Sequence, residues 1–195
     1  MTGISPLQSI HKKGLFGDHH KKNEKDLTNI SEVKNLSIIQ IFHYKNSKIN
    51  VDSVKIENLE IPQQNLKVIS NKETRILWNS PNTWLVVSEK KDLINVIKEK
   101  CDDQNFGVTD ISHSRAVIKI NGKNALKVLK KGCPINFNEF KKNNCAGTVF
   151  HGINIVVDCI DDKYQEFNVL TLRSFGESLY HHICDASLEF GYKGV

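Results

Sequence analysis

Apolar positions along this chain follow two periods, every second residue in some stretches and every third or fourth in others, and the periods exchange places in a fixed order. Leu36 to Tyr44 is rich in β-branched and aromatic residues and predicts a strand. Val54 to Ile61 predicts a shorter strand that ends before Pro62. Arg75–Trp78 and Thr83–Val87 flank the string Asn79, Ser80, Pro81, Asn82, which is turn chemistry, so a hairpin is expected. Ser88 is expected to cap a helix in which Leu93, Ile94, Ile97 and Cys101 form one stripe. Asn105 and Gly107 close that segment.

The same order then recurs. Val108 to Ile120 is extended, and Gly122 opens a short helix with Ala125, Val128 and Leu129 on one side. Lys127, Lys130 and Lys131 fall towards its solvent side and its C-terminal end, and Gly132 with Pro134 stops it. Gly147–Phe150, Ile153–Ile160 and Phe167–Arg173 predict a meander turning at His151-Gly152 and at Asp161–Lys163. A last helix is expected over about 175–190, with Phe175, Leu179, Ile183, Ala186 and Phe190 in one apolar stripe. The pattern predicts an α+β chain of two split βαβ-type (ferredoxin-like) halves with antiparallel sheets, about 35–107 and 108–195, forming a single domain. Residues 1–34 show no period and carry Gly, His, Lys and Asn. They read as an extended N-terminal arm, either a disordered tail or one whose Leu7, Ile10, Leu15 and Phe16 settle on a partner.

Composition narrows the classes of function. At 195 residues, with 39% hydrophobic and 25% charged, the chain has the make-up of a soluble globular protein. No apolar run approaches a membrane span, and the first ten residues lack the pattern of a secretion signal, so a cytoplasmic protein is expected. The net charge of +5 is mild and gathers partly in His11–Lys13 and His19–Lys22, a polar tail rather than a nucleic-acid face. Five scattered cysteines with no CxxC pair disfavour a zinc ribbon and suit reduced thiols.

Candidate chemistry is sparse. Asp110-Ile-Ser-His-Ser-Arg115 holds an acid, hydroxyls, an imidazole and a guanidinium. A catalytic triad needs its groups to converge, whereas neighbours on an extended strand diverge. Asp110 and Arg115 are therefore expected to fix a bend or a subunit contact. Glu177, His181, Cys184 and Leu188 share one face of the last helix and read as a solvated face, a partner surface or the start of a metal site, for which only three ligands are present and no second cluster has matching spacing. His182 is expected to pack in the core. GxGxxG, GxxxxGK and HExxH are all absent, and Trp78 and Trp84 read as core residues of the hairpin.

Three strings, in this order, resemble one family. They are Ile76–Val87 with its Trp-x-x-Pro-x-x-Trp hairpin, Val108–Arg115 followed by a strand, Gly122 and a helix ending in Lys131-Gly-Cys-Pro134, and Leu172-Arg-Ser-Phe175 before the last helix. Ser5-Pro6-Leu7 also fits. Together they are similar to the gamma subunits of heterotetrameric sarcosine oxidases. The resemblance implies a fold like the N-terminal domain of the glycine-cleavage T-protein and a complex with alpha, beta and delta subunits, gamma touching chiefly alpha. It implies oxidative demethylation of sarcosine to glycine with release of hydrogen peroxide, and transfer of the one-carbon unit to tetrahydrofolate. FAD, FMN, NAD and zinc are expected on the partner subunits, with no catalytic, cofactor or metal residue on this chain. Pro81, Trp84, Asp110, His113, Arg115 and Arg173 are the expected subunit contacts. The alternatives are a free-standing folate-binding module, for which Arg115 and Trp84 would supply charge and stacking, and an assembly factor.

Overall fold

Short β-branched runs punctuated by Asn, Gly and Asp favour many brief strands over a few long ones, and the described residues build a seven-stranded sheet, a five-stranded sheet and a two-stranded hairpin from them. The computed structural model describes residues 4–195; Met1–Gly3, the start of the expected arm, lie outside the described residues. In chain order the described strands are β1 (Gly14–Phe16), β2 (Thr28–Glu32), β3 (Ser37–His43), β4 (Lys55–Ile56), β5 (Leu59–Glu60), β6 (Val68–Ser70), β7 (Thr74–Ser80), β8 (Thr83–Ser88), β9 (Phe106–Asp110), β10 (Arg115–Asn121), β11 (Cys145–Phe150), β12 (Ile153–Asp161), β13 (Glu166–Leu172) and β14 (Tyr192–Gly194). The α-helices are α1 (Leu93–Lys100), α2 (Ala125–Gly132) and α3 (Gly176–Ser187). No helix among the described residues is long and apolar enough to cross a membrane.

One compact unit holds residues 35–113 and 143–146. Its sheet runs β6-β7-β8-β3-β9, each neighbour antiparallel to the next. β8 and β9 both run antiparallel to β3, which lies between them, and α1 connects them, so this is a split βαβ unit. All six residues of β8 are buried, because both faces of this strand are covered. Ile39, Ile41, Ile76, Trp84, Val86, Leu93, Ile97 and Phe106 are among the core side chains. The hairpin expected around Pro81 is β7–β8, with Pro81 and Asn82 as its loop and Asn82 at φ 57.

Two local expectations differ from what forms. Val54–Ile61 is a tight hairpin, β4 and β5, because Glu57 and Asn58 both take positive φ and turn the chain between them. Ser88 ends β8, where its hydroxyl bonds with Thr74 and donates to the Glu73 carbonyl; Asp92 occupies the N-cap of α1 instead.

The other unit holds the residues up to Lys34 together with 114–142 and 147–195. Its sheet runs β1-β14-β2-β10-β13-β12-β11. β10 pairs antiparallel with β2 and β13, β12 pairs antiparallel with β13, and β14 runs parallel to β2. α3 carries the chain from β13 to β14, with β10 and β2 lying between those strands. α3 packs on β10, β13 and α2. Gly176 makes the approach to β10 possible: a Cβ there would stand 2.9 Å from the Ala116 Cβ.

This arrangement differs from the expected halves of 35–107 and 108–195. β9 pairs with β3, so the division falls between His113 and Ser114. The described part of the expected arm is woven into the seven-stranded sheet. Ile30 lies opposite Ile120, Leu7, Leu27 and Ile30 are buried, and the Phe16 ring stacks on Tyr192 at 5.1 Å. Gly191 (φ 71) lets this segment pass closely, since a Cβ there would meet the Asp18 carbonyl oxygen at 2.6 Å.

Candidate partner-binding surface

The string from Asp110 to Arg115 forms a bend, and its hydrogen bonds explain why. β9 ends at Asp110, a 3-10 turn covers Ser112–Ser114, and β10 begins at Arg115. Asp110 Oδ1 accepts from the Ser112 amide at 2.9 Å and from the Ser112 hydroxyl at 2.5 Å. The same hydroxyl accepts from the Ile38 amide at 2.8 Å, tying the turn to β3. Asp110 and Ser112 are thus occupied with shape, and His113 is exposed at the tip.

Beyond the bend the side chains change character. Arg115 lies opposite Leu172 in the β10–β13 ladder. Its guanidinium donates to the carbonyl and hydroxyl oxygens of Ser114 at 3.4 and 3.2 Å. Burial pulls this guanidinium below its ordinary pKa. Arg173, in the 3-10 turn Arg173–Phe175 that leads into α3, donates to the Ile4 carbonyl. Neither guanidinium has a carboxylate partner among the described residues. Ser114, Leu172, Arg173 and Ser174 line an open hollow of about 510 Å³. Around it Ile4, Leu172 and Phe175 are 73%, 43% and 47% exposed. An apolar corner flanked by arginines is the composition of a protein interface centre, where aromatic and Arg side chains are enriched.

The other candidate contacts are placed differently. Pro81 is exposed in the β7–β8 loop. β3 pairs Phe42 with Thr83 and Ile39 with Asp110, so Pro81 and Asp110 lie at opposite ends of the five-stranded sheet. Trp84 is withdrawn from any surface: it is 2% exposed, and its indole N–H donates to the Pro62 carbonyl at 2.7 Å. A ring so enclosed offers no face for a folate to stack on, which removes the pairing with Arg115.

On α3 the expected faces shift. Leu179, Ile183 and Ala186 are buried as the stripe requires, but Phe175 precedes the helix in the 3-10 turn and points outward. Cys184 is buried rather than part of an outer face, and burial raises its thiol pKa. His182 is exposed, its ring 5.4 Å from that of His151. Glu177 and His181 stand 3.9 Å apart in solvent. Among the described residues no three His, Cys, Asp or Glu side chains converge as metal ligands.

The sequence model of the "Sarcosine oxidase, gamma subunit family" matches residues 49–189. The chain belongs to the sarcosine oxidase gamma subunit family. Within reach of this family, the sarcosine oxidase subunit gamma of Corynebacterium sp. (strain U-96) is 28% identical over 120 residues, 60% of this chain. The chain spans 58% of that curated relative's length. A chain of the heterotetrameric sarcosine oxidase from Corynebacterium sp. U-96, solved with pyrrole 2-carboxylate, superposes with a TM-score of 0.84 and 21% identity over 97% of both chains. The glycine cleavage system aminomethyltransferase T from Bartonella henselae superposes with a TM-score of 0.60 and 8% identity, over 82% of this chain and 46% of that one. At these identities both likenesses are likenesses of fold. The gamma-family chain is thus a mixed α+β protein of mainly antiparallel sheets, as expected, with the T-protein resemblance in its architecture.

Exposed apolar residues at this corner were half visible in the sequence. Leu172-Arg-Ser-Phe175 stood out as a family string, yet Phe175 fitted the helical stripe by spacing alone. Ile4 carried no signal, because its role depends on Arg173, far along the chain.

Proposed function

We propose that this chain is the gamma subunit of a heterotetrameric sarcosine oxidase and that it serves as a structural subunit packed on alpha. The complex, with alpha, beta and delta subunits, demethylates sarcosine oxidatively to glycine, releases hydrogen peroxide and passes the one-carbon unit to tetrahydrofolate. In this reading FAD, FMN, NAD and zinc sit on the partner subunits, and the assembly works in the cytoplasm. The observation that carries the contact is the corner of Ile4, Leu172 and Phe175 with Arg115 and Arg173. Apolar area of this kind gains free energy when covered, at about 25 cal/mol per Å². The two guanidiniums fit carboxylates on the covering surface. Pro81 and the bend at Asp110 and His113 are outlying contacts; a partner reaching both would span the five-stranded sheet.

The test is a gentle purification of the tagged chain from its native cells. Flavin-bearing subunits and sarcosine-dependent peroxide release in the purified fraction are the expected result. A lone monomer, under conditions in which oxidase complexes survive, overturns the proposal.

A further inference from the structure

A second hollow, of about 410 Å³, opens in the unit of the seven-stranded sheet, where the turn after β1 meets the start of α2. Lys21, Lys22 and Lys123 stand in its wall with the amides of Asn23 and Asn124 and the ring of Phe190. Lys127 and Lys131 continue the row from Lys123 at four-residue intervals along α2. Their ammonium groups lie 5.7 and 4.8 Å from the centre of the Phe190 ring. Three ammoniums, of Lys21, Lys22 and Lys123, therefore line the concavity with Asp26, and those of Lys127 and Lys131 lie over the Phe190 ring in its wall; Lys22 pairs with Asp18, and Lys131 pairs with Glu189 and donates to the Ala186 carbonyl.

Lys21, Lys123 and Lys127 have no carboxylate partner among the described residues. Asn124 occupies the N-cap of α2 without making a side-chain capping bond, so its amide is free to meet a ligand. The positive end of the α2 dipole adds to the same potential. Like charges held together in this way repel one another until an anion enters.

We propose that this hollow binds a small polyanion, a phosphate ester or a polycarboxylate with two or more negative charges close together. The chemistry is that of charge-assisted hydrogen bonds from several ammoniums, with amides fixing orientation. The inference concerns this chain alone and does not depend on subunit assembly.

Calorimetric titration of the full chain at low ionic strength, with pyrophosphate and separately with citrate, tests it. Saturable binding of one anion per chain is expected, weakening as salt is added. Tighter pyrophosphate binding assigns the phosphate-ester class, and tighter citrate binding the polycarboxylate class. The pair Lys123→Gln and Lys127→Gln should weaken binding by about tenfold or more. Lys21→Gln, outside α2, gives an independent reading should the α2 pair perturb folding. Lys98→Gln with Lys100→Gln, on α1, should leave the affinity unchanged. Absence of saturation with both anions, or an affinity that neither Lys21→Gln nor the α2 pair alters, overturns the proposal.

Discussion

β8 and the end of β13 show opposite solutions for a strand rich in large side chains. β8 is buried at all six residues, and its one polar ring atom, the Trp84 indole N–H, is satisfied by the Pro62 carbonyl. At the end of β13, Leu172 remains 43% exposed, Phe175 follows it outward, and two guanidiniums have no carboxylate partner among the described residues. The first region has completed its burial within the chain. The second has not: an apolar corner stays open beside cations, and the proposed subunit contact would cover it. Of two residues expected as contacts, Trp84 is thus enclosed in the core, whereas Arg173 stands at the open corner.

The strongest blow to the closed region is Trp84→Ala, expected to cost about 3–5 kcal/mol in urea or thermal unfolding. A loss below about 1 kcal/mol would contradict its place in the core. Ile30→Ala probes the strand contributed by the arm and should cost about 2–5 kcal/mol, because Ile30 is fully buried opposite Ile120. Truncation of residues 1–30, which removes Leu7, Leu27 and Ile30 from the core, should likewise unfold this unit in the same assay. Gly176→Val should cost about 1–3 kcal/mol through overlap with Ala116, and an unchanged unfolding midpoint would contradict the close approach of α3 to β10.

Alkaline pH gives a gentler comparison. Burial pushes the thiols of Cys101 and Cys133 up to about 11 and about 12 from 9.0. Their neutral forms are favoured in the folded state, which therefore holds more protons than the unfolded chain once pH exceeds about 9. Stability should be fully present below that pH and fall as pH rises from 9 towards 11. A thermal midpoint that stays constant over this window would contradict the burial. Thiol reagents should likewise modify the five buried cysteines only as the protein unfolds.

Much of the architecture was legible because its signals are local. The β7–β8 hairpin declares itself through alternation around Pro81-Asn82, and α2 through Ala125, Val128 and Leu129, all buried. β1, β2 and β14 were hidden: each is short, and each pairs with residues distant in the chain, as Tyr192 does with Thr28. Lack of period in residues 1–34 therefore reads as a disordered tail or an arm that settles on a partner, whereas the described residues pair within their own sheet. Val54–Ile61 misled because its apolar residues suit a strand, and only the positive φ of Glu57 and Asn58 breaks it. The proposed contact corner was legible as motifs but not as geometry. Burial of Trp84 and exposure of Phe175 both depend on what packs nearby, and spacing alone carries neither.

The most direct test exchanges the open corner for a soluble one. Leu172→Asp with Phe175→Asp alters side chains that are about half exposed, so a loss of about 1 kcal/mol is expected and urea unfolding of the variant checks that it is folded. Wild-type and variant chains, tagged and purified gently from native cells, can then be compared by native mass spectrometry. The account predicts a wild-type chain within a heterotetramer that releases peroxide from sarcosine, and a variant that is folded but monomeric. A variant assembled as fully as the wild type would contradict it.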